Sequence, residues 1–213
     1  MMAEKGNTKQ EILEAALDLF SAQGFEATSM QQIAEAVGIR KPSLYSHFVG
    51  KQEILDELVR TTIEQYEKHS LFAQADWDNP DFTSDKQDIT EDDVIQMILK
   101  HFCYIVHDPK ISRSRKMLTI EQFQNPKLKE LQTKQNYTDV MRYFAGLVRF
   151  LVSRKKLFGN DVEIMAAQLC LPVTVWINLC DREPEREKEI TALIERHVRQ
   201  FFRIHGNGKE EKK

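Results

Sequence analysis

Along most of this chain apolar residues return every three or four positions, the spacing that lines one face of an α-helix, and nowhere do they alternate strictly as a half-buried strand requires. The pattern predicts an all-α protein. The first helix is expected to open at Thr8, with Glu11 three residues on, so that each side chain satisfies an orphan amide of the first turn. Ile12, Ala15, Ala16, Leu19 and Phe20 then form its buried face, and Gly24 ends it. A second capping pair, Thr28 with Gln31, starts a short helix that buries Met30, Ile33, Ala34 and Val37 and stops at Gly38. A third is expected over 41–48, with Pro42 in the first turn, where a missing amide proton leaves no bond unmade. Leu44 and Phe48 point inward, and Gly50 ends it. The fourth runs from Lys51 to about His69, with Ile54, Leu55, Leu58, Ile63 and Tyr66 on its packing side.

The periodicity lapses over 70–93, which holds Asn79-Pro80 and, from Asp76 to Asp93, eight acidic residues against one lysine. This reads as an acidic loop with a short turn near Trp77 or Phe82. Loops of that length in a compact domain tend to be functional or unstructured. Helices resume over 91–106, 112–123, 126–156, 161–180 and 184–205, giving about nine in all. The organisation predicted is a three-helix N-terminal domain over 1–50, a larger helical domain over 51–205, and a polar, disordered tail over 206–213.

Charge changes the picture only locally. The net charge is −3, from 30 basic and 33 acidic side chains, so the total gives no sign of a polyanionic partner. Residues 1–54 carry five basic and seven acidic side chains, yet no acid lies between Glu35 and Glu53, and Arg40, Lys41, His47 and Lys51 all do. Exposed fields are screened within about 8 Å at physiological salt, so a polyanion senses that stretch rather than the sum. The three cysteines, Cys103, Cys170 and Cys180, form no CxxC pair and sit in apolar settings, which predicts reduced packing residues. The longest apolar stretch, 162–180, is interrupted by Glu163, Gln168, Pro172, Thr174 and Asn178, and reads as a buried helix rather than a membrane span. No basic leader precedes an apolar run, so a cytoplasmic protein without a membrane partner is expected.

Two short helices joined by a tight glycine turn and braced by a preceding helix make a helix-turn-helix, whose second helix enters the DNA major groove. With Leu44 and Phe48 inward, Arg40, Lys41, Ser43, Tyr45, Ser46 and His47 are left outward, cations that reach guanine O6 and N7 and hydroxyls that reach bases or phosphates. Thr28 and Lys51 each stand at a helix start, where amides favour a phosphate oxygen. The stretch AALDLFSAQGFEATSMQQIAEAVGIRKPSLYSHFVGKQEIL resembles the DNA-binding domain of the tetracycline-repressor (TetR) family of bacterial regulators. The resemblance lies in the aromatic-Gly-aromatic spacing about Gly24, the Thr28 cap, IAEAVGI, LYSHF and the K-x-x-IL that opens the fourth helix. It implies that Thr28, Lys41, Tyr45, His47 and Lys51 contact the DNA backbone, and that Arg40, Lys41, Pro42 and Ser43 face bases. Arg40 stands where the family more often has a small hydroxyl cap, which leaves the helix start uncapped and bears on base preference.

The rest of the chain matches no motif. The resemblance implies a helical ligand-binding domain whose last two long helices pair with a second subunit. The sequence supports that pairing, because 161–180 is apolar nearly all round. The expected dimer interface is Val173, Trp176 and Ile177 with the stripe Ile190, Leu193, Ile194, His197, Val198 and Phe201. A two-fold homodimer would set its recognition helices about one turn apart on a roughly palindromic double-stranded operator. Met97, His101, Tyr104, Met117, Tyr137, Phe144, Gln168 and Trp176 are candidate lining for an unknown small-molecule effector, though each also suits ordinary core packing. His101 and His107, six apart, do not share a helical face, so no metal is expected, nor any other cofactor. No nucleophile–base pair, paired carboxylate or phosphate loop points to an enzyme. The expected function is a sequence-specific DNA-binding transcriptional regulator, a repressor released by its ligand. The alternative is a small-molecule-binding or protein-interaction module whose DNA-binding domain is vestigial.

Overall fold

The computed structural model describes residues 2–77, 79, 83 and 89–206. Its helices are α1 (Met2–Gln23), α2 (Met30–Val37), α3 (Lys41–Tyr45), α4 (Lys51–His69), α5 (Leu71–Gln74), α6 (Glu91–His107), α7 (Pro109–Glu121) and α8 (Pro126–Thr133). A π-turn (Lys134–Thr138) leads into α9 (Asp139–Ser153), followed by α10 (Val162–Arg182), a 3-10 turn (Pro184–Arg186) and α11 (Glu187–His205). No strand occurs among the described residues. The tail beyond residue 206 and most of the acidic loop, including Phe82, lie outside the described residues.

These helices form two compact units that are not contiguous in sequence: α1–α4 group with α7 and α8, and α5 and α6 group with everything from Lys134 onward. In the first unit, one face of α1 (Ile12, Leu13, Ala16, Leu17, Phe20) shares a core with Ile33 of α2, Leu44 and Phe48 at α3, Ile54, Leu55 and Leu58 of α4, Met117 and Leu118 of α7, and Leu128 and Leu131 of α8. Arg113 of α7 reaches across to α1, bonding Glu14 at 3.0 Å and Asp18. In the second unit α9 and α10 lie side by side, with Leu147, Val148, Leu151, Ala166 and Leu169 buried against Ile95 and Ile98 of α6 and Ile190, Ile194 and Val198 of α11.

Several local expectations change, and the third helix, expected over 41–48, stops at Tyr45 and leaves Phe48 in the turn beyond it. The helix expected from Thr8 begins at Met2, because the preceding residues include good helix formers and no proline. The cap of α2 is Ser29, not Thr28: the Ser29 hydroxyl accepts from the Gln32 amide at 3.2 Å, and the Gln32 side chain accepts from the Ser29 amide at 2.8 Å. The single helix expected over 126–156 is broken by the five-residue π-turn and ends at Ser153. An extra residue in a turn rotates the face that follows by about 100°. The break falls where the chain leaves the first unit for the second. Elsewhere α4 spans the residues expected, and α6 opens on a capping box of Thr90 and Asp93.

Candidate nucleic-acid interface

Gly24 and Phe25 fix the geometry of the helix-turn-helix. Gly24 takes a left-handed φ of +83°, and a Cβ placed there would lie 3.2 Å from a Glu121 carboxylate oxygen and 3.3 Å from Ile120. The same carboxylate, 5% exposed at the end of α7, accepts the Phe25 amide at 2.7 Å. From the other side the Lys51 ammonium donates to the Phe25 carbonyl at 2.5 Å and sits 4.2 Å above the Phe25 ring. One residue, Phe25, is thus held by an anion at its N–H and a cation at its C=O. That clamp sets the entry to α2 against the start of α4.

Thr28 belongs to the same turn. It is 2% exposed, its hydroxyl donates to the Gly24 carbonyl at 2.8 Å, and it accepts from Gln23 at 3.1 Å. The hydroxyl at the solvent end of α2 is therefore that of Ser29, which the sequence reading passed over. Gly38 closes α2 with its N–H on the Glu35 and Ala34 turns. α3 then follows at once, with Arg40 as an N-cap that makes no side-chain bond and Leu44 fully buried. Arg40, Lys41, Pro42, Ser43, Tyr45 and Ser46 are all exposed, His47 is half-buried, and Phe48 anchors the far end at 2% exposure. The turn into α4 is held by Glu53, which accepts the Val49 amide at 2.5 Å. The result is a short ridge, cationic at its N-terminal end and hydroxyl-bearing along its length, with no acid between Glu35 and Glu53. Lys51 is half-buried and already engaged by carbonyls, so its role there is structural as well as electrostatic.

The residues named as ligand lining do not form one group. Met97, His101 and Phe144 come together in the second unit: the Tyr143 hydroxyl donates to Met97 Sδ at 2.8 Å, and the Phe72 ring packs at a tilt against His101 at 4.2 Å and Phe144 at 5.8 Å between centroids. Met117 lies in the core of the other unit, and Tyr104 and Tyr137 are exposed. Gln168 is on the outside of α10, 3.0 Å from the His205 ring, and Trp176 stands edge-on to His197. Phe72, Trp77, Tyr143 and Phe150 were missed, and the one sequence signal for them was a glycine, Gly146, inside an apolar helix. Cys170 and Cys180 are buried, and burial pushes the Cys170 thiol up to about 12; Cys103, by contrast, is exposed.

The dimer stripe needs correcting. Ile190, Ile194, Val198 and Phe201 of α11, with Val173 of α10, are turned into their own unit's core, because period alone tells which face is buried and not against what. The outward face of α10 is also apolar: Ile164 is 55% and Val175 62% exposed, with Leu171 between them. By length and composition α10 is apolar enough to cross a membrane; here its other face carries the unit's core.

Burial drops the His101 pKa to about 4 from an ordinary 6.5, so the ring is neutral in the folded protein. The unfolded chain takes up this proton near 6.5 and the folded one does not until about 4. The stability is therefore complete above the unfolded value and lost as pH falls between the two, by up to about 3 kcal/mol. His101→Leu is expected to flatten the acid limb of the stability–pH curve over that window. A variant curve parallel to the parent's would show that the ring is not neutral and buried.

Comparison with known proteins puts these observations in context. The model of the bacterial regulatory proteins of the tetR family matches residues 12–58. The transcriptional repressor KstR2 of Mycobacterium tuberculosis is 46% identical over 50 residues, 24% of this chain and 25% of that protein. The class A tetracycline repressor of Escherichia coli is 34% identical over 67 residues, 31% of each chain. The chain thus aligns with about a quarter to a third of the length of these curated relatives. Over nearly the whole length the fold is that of a TetR-family regulator from Mesorhizobium loti, with a TM-score of 0.62 at 19% identity, covering 95% of this chain and 98% of that one. The complex of SmeT with triclosan gives 0.58 at 16% identity, covering 95% and 93%.

Proposed function

We infer, from the match of residues 12–58 to the model of the tetR family of bacterial regulatory proteins, that the chain is a member of that family and a sequence-specific DNA-binding transcriptional regulator, a repressor that leaves its operator when a small molecule binds. The observation that carries this reading is the ridge of α3: Arg40, Lys41, Ser43 and Tyr45 are exposed around a helix anchored in the core by Leu44 within it and Phe48 just beyond it. Arg40, Lys41, Pro42 and Ser43 meet base edges; Lys41, Tyr45, His47, Ser29 and the outward side of Lys51 meet phosphates. The protein works in the cytoplasm as a homodimer, paired through the outward faces of α10 and α11, on a roughly palindromic operator. Trp176, Ile177, Leu193 and His197, all half-buried, edge that interface. Its division of labour is a DNA-reading domain over 1–50 and an effector and dimerisation domain over 51–205. No catalytic role is assigned to any residue.

Ligand binding changes DNA affinity only by the difference in the ligand's own affinity for the two states, typically about 1–3 kcal/mol of coupling. The electrostatic test is direct. Arg40, Lys41 and Lys51 from two subunits neutralise at most about six phosphates, so log K against log salt is expected to fall with a slope no steeper than about −5. Arg40→Ala is expected to change preference among DNA sequences, while Lys51→Ala weakens binding to all of them. A slope near zero, or a Lys51→Ala protein that binds duplex DNA as the parent does, would remove this face from the interface.

A further inference from the structure

Gly146 sits in the middle of α9, where glycine in place of alanine costs a helix about 1 kcal/mol. The reason lies directly above it. A Cβ at this position would fall 2.2 Å from Cδ1 and 2.5 Å from Cγ of Trp77, so the indole rests on bare helix backbone. Tyr143 and Phe150, three before and four after, stand on the same stripe of α9 and wall the indole in, with ring centroids at 5.4 and 5.7 Å from it. Together these make a slot with a backbone floor and aromatic sides, the shape of one flat ring.

The ring in that slot arrives on a weakly built piece of chain. Trp77 lies beyond α5, a single four-residue turn, whereas Tyr143, Gly146 and Phe150 belong to a fifteen-residue helix. α5 is tethered to α9 by Arg142, whose guanidinium donates to the carbonyls of Phe72 at 3.1 Å and Ala73 at 3.4 Å and pairs with Asp139 at 3.0 Å. That cation is committed to the tether and to its own carboxylate. Burial holds the Tyr143 phenol protonated, with its hydroxyl turned to Met97, and the Arg154 guanidinium is engaged over the Phe150 ring, 5.3 Å from its centre. With Arg142 and Arg154 both engaged, the described residues around the slot offer a charged ligand little compensation, and an uncompensated charge in such surroundings is costly.

We propose that the slot over Gly146 is the effector site, that it takes an uncharged planar aromatic molecule, and that Trp77 occupies it when no effector is bound. This rests on the reading of the chain as a ligand-responsive regulator. The indole supplies in the empty protein the ring contacts that the effector supplies in the loaded one. Apparent effector affinity is therefore lower than intrinsic affinity by the population of the Trp77-out state.

The chain has two tryptophans, so the full-length protein labelled with 5-fluorotryptophan gives two fluorine resonances, assigned with Trp176→Phe. The probe is 2-naphthol, uncharged at neutral pH, with 2-naphthoate as its charged counterpart. Titration with 2-naphthol is expected to move the Trp77 resonance to its solvent-exposed position and leave that of Trp176 in place. 2-Naphthoate is expected to bind at least tenfold more weakly. Trp77→Ala is expected to bind 2-naphthol at least tenfold more tightly, and Gly146→Ala to show Trp77 displaced without probe. No binding at millimolar 2-naphthol, or saturation with the Trp77 resonance unmoved, overturns the proposal. So does displacement of Trp77 that leaves affinity for duplex DNA unchanged, and in that case the regulator reading survives. Failure of the unliganded protein to bind duplex DNA sinks the regulator reading instead, and the resonances then report on the slot alone.

Discussion

Phe48→Ala is expected to lower the stability of the unit built on α1–α4 by about 3–5 kcal/mol, and with it to abolish binding to duplex DNA. α3 has five residues and an N-cap that makes no side-chain bond. A helix that short has no stability of its own in water, so its existence depends on tertiary anchors. There are two, Leu44 at 0% and Phe48 at 2% exposure, one turn apart. The Phe48 ring also lies under the Lys9 ammonium, 5.3 Å from its centre. Its removal leaves a cavity between α1, α3 and α4 and frees the end of the helix that presents Arg40, Lys41 and Ser43. Tyr45→Ala, at a position 47% exposed, is the control: it should change stability by less than about 0.5 kcal/mol while still weakening DNA binding. The measurement is amide hydrogen exchange of α1–α4 beside a DNA titration. If exchange in those helices is unaltered in the Phe48 variant, the ring does not anchor α3.

Val175→Glu is expected to convert the protein to monomers and to lower operator affinity by two orders of magnitude or more. Val175 is 62% exposed on the same apolar stripe as Ile164 and Leu171, on a helix whose opposite face is core. An unpaired carboxylate forced into an apolar contact costs about 3–5 kcal/mol. Because the substitution lies on the protomer's surface, the fold of each subunit should persist, which circular dichroism would verify. Sedimentation at micromolar concentration gives the mass. A variant that stays dimeric would place the subunit contact on some other face, and Ile190→Ala, in the core, serves as the contrasting substitution that harms stability before association.

Local pattern reached the helices and stopped at what surrounds them. The α2 cap illustrates the limit. Thr28-x-x-Gln31 and Ser29-x-x-Gln32 are equivalent as strings, and what selects Ser29 is that the Thr28 hydroxyl is drawn back onto the Gly24 carbonyl. In the α11 stripe, Ile190, Ile194 and Val198 are buried in the core of their own unit, and the exposed residues of α10 were hidden in a segment apolar on all sides. The exposed face of α3 was legible because it depends only on Leu44 and Phe48 pointing inward. The Glu121–Phe25 and Arg113–Asp18 contacts join residues 96 and 95 positions apart, and no short-range regularity encodes them. Nor does any encode Trp77 against Gly146, where a missing side chain is the whole signal.

The interleaving of the two units bears on how the protein is made. Met117, Leu118, Leu128 and Leu131 belong to the same core as Ile12 and Phe20, and residues 71–108 intervene before any of them is synthesised. While the ribosome works through that stretch, the greasy sides of the first four helices have only one another and lack the cover that Met117, Leu118, Leu128 and Leu131 complete. The emerging polypeptide must keep them shielded, by transient non-native collapse or by a chaperone, until about residue 133 has cleared the exit tunnel. Slowing translation within 71–108 should therefore lengthen the aggregation-prone interval, whereas slowing it after α8 should leave the yield of folded protein unchanged.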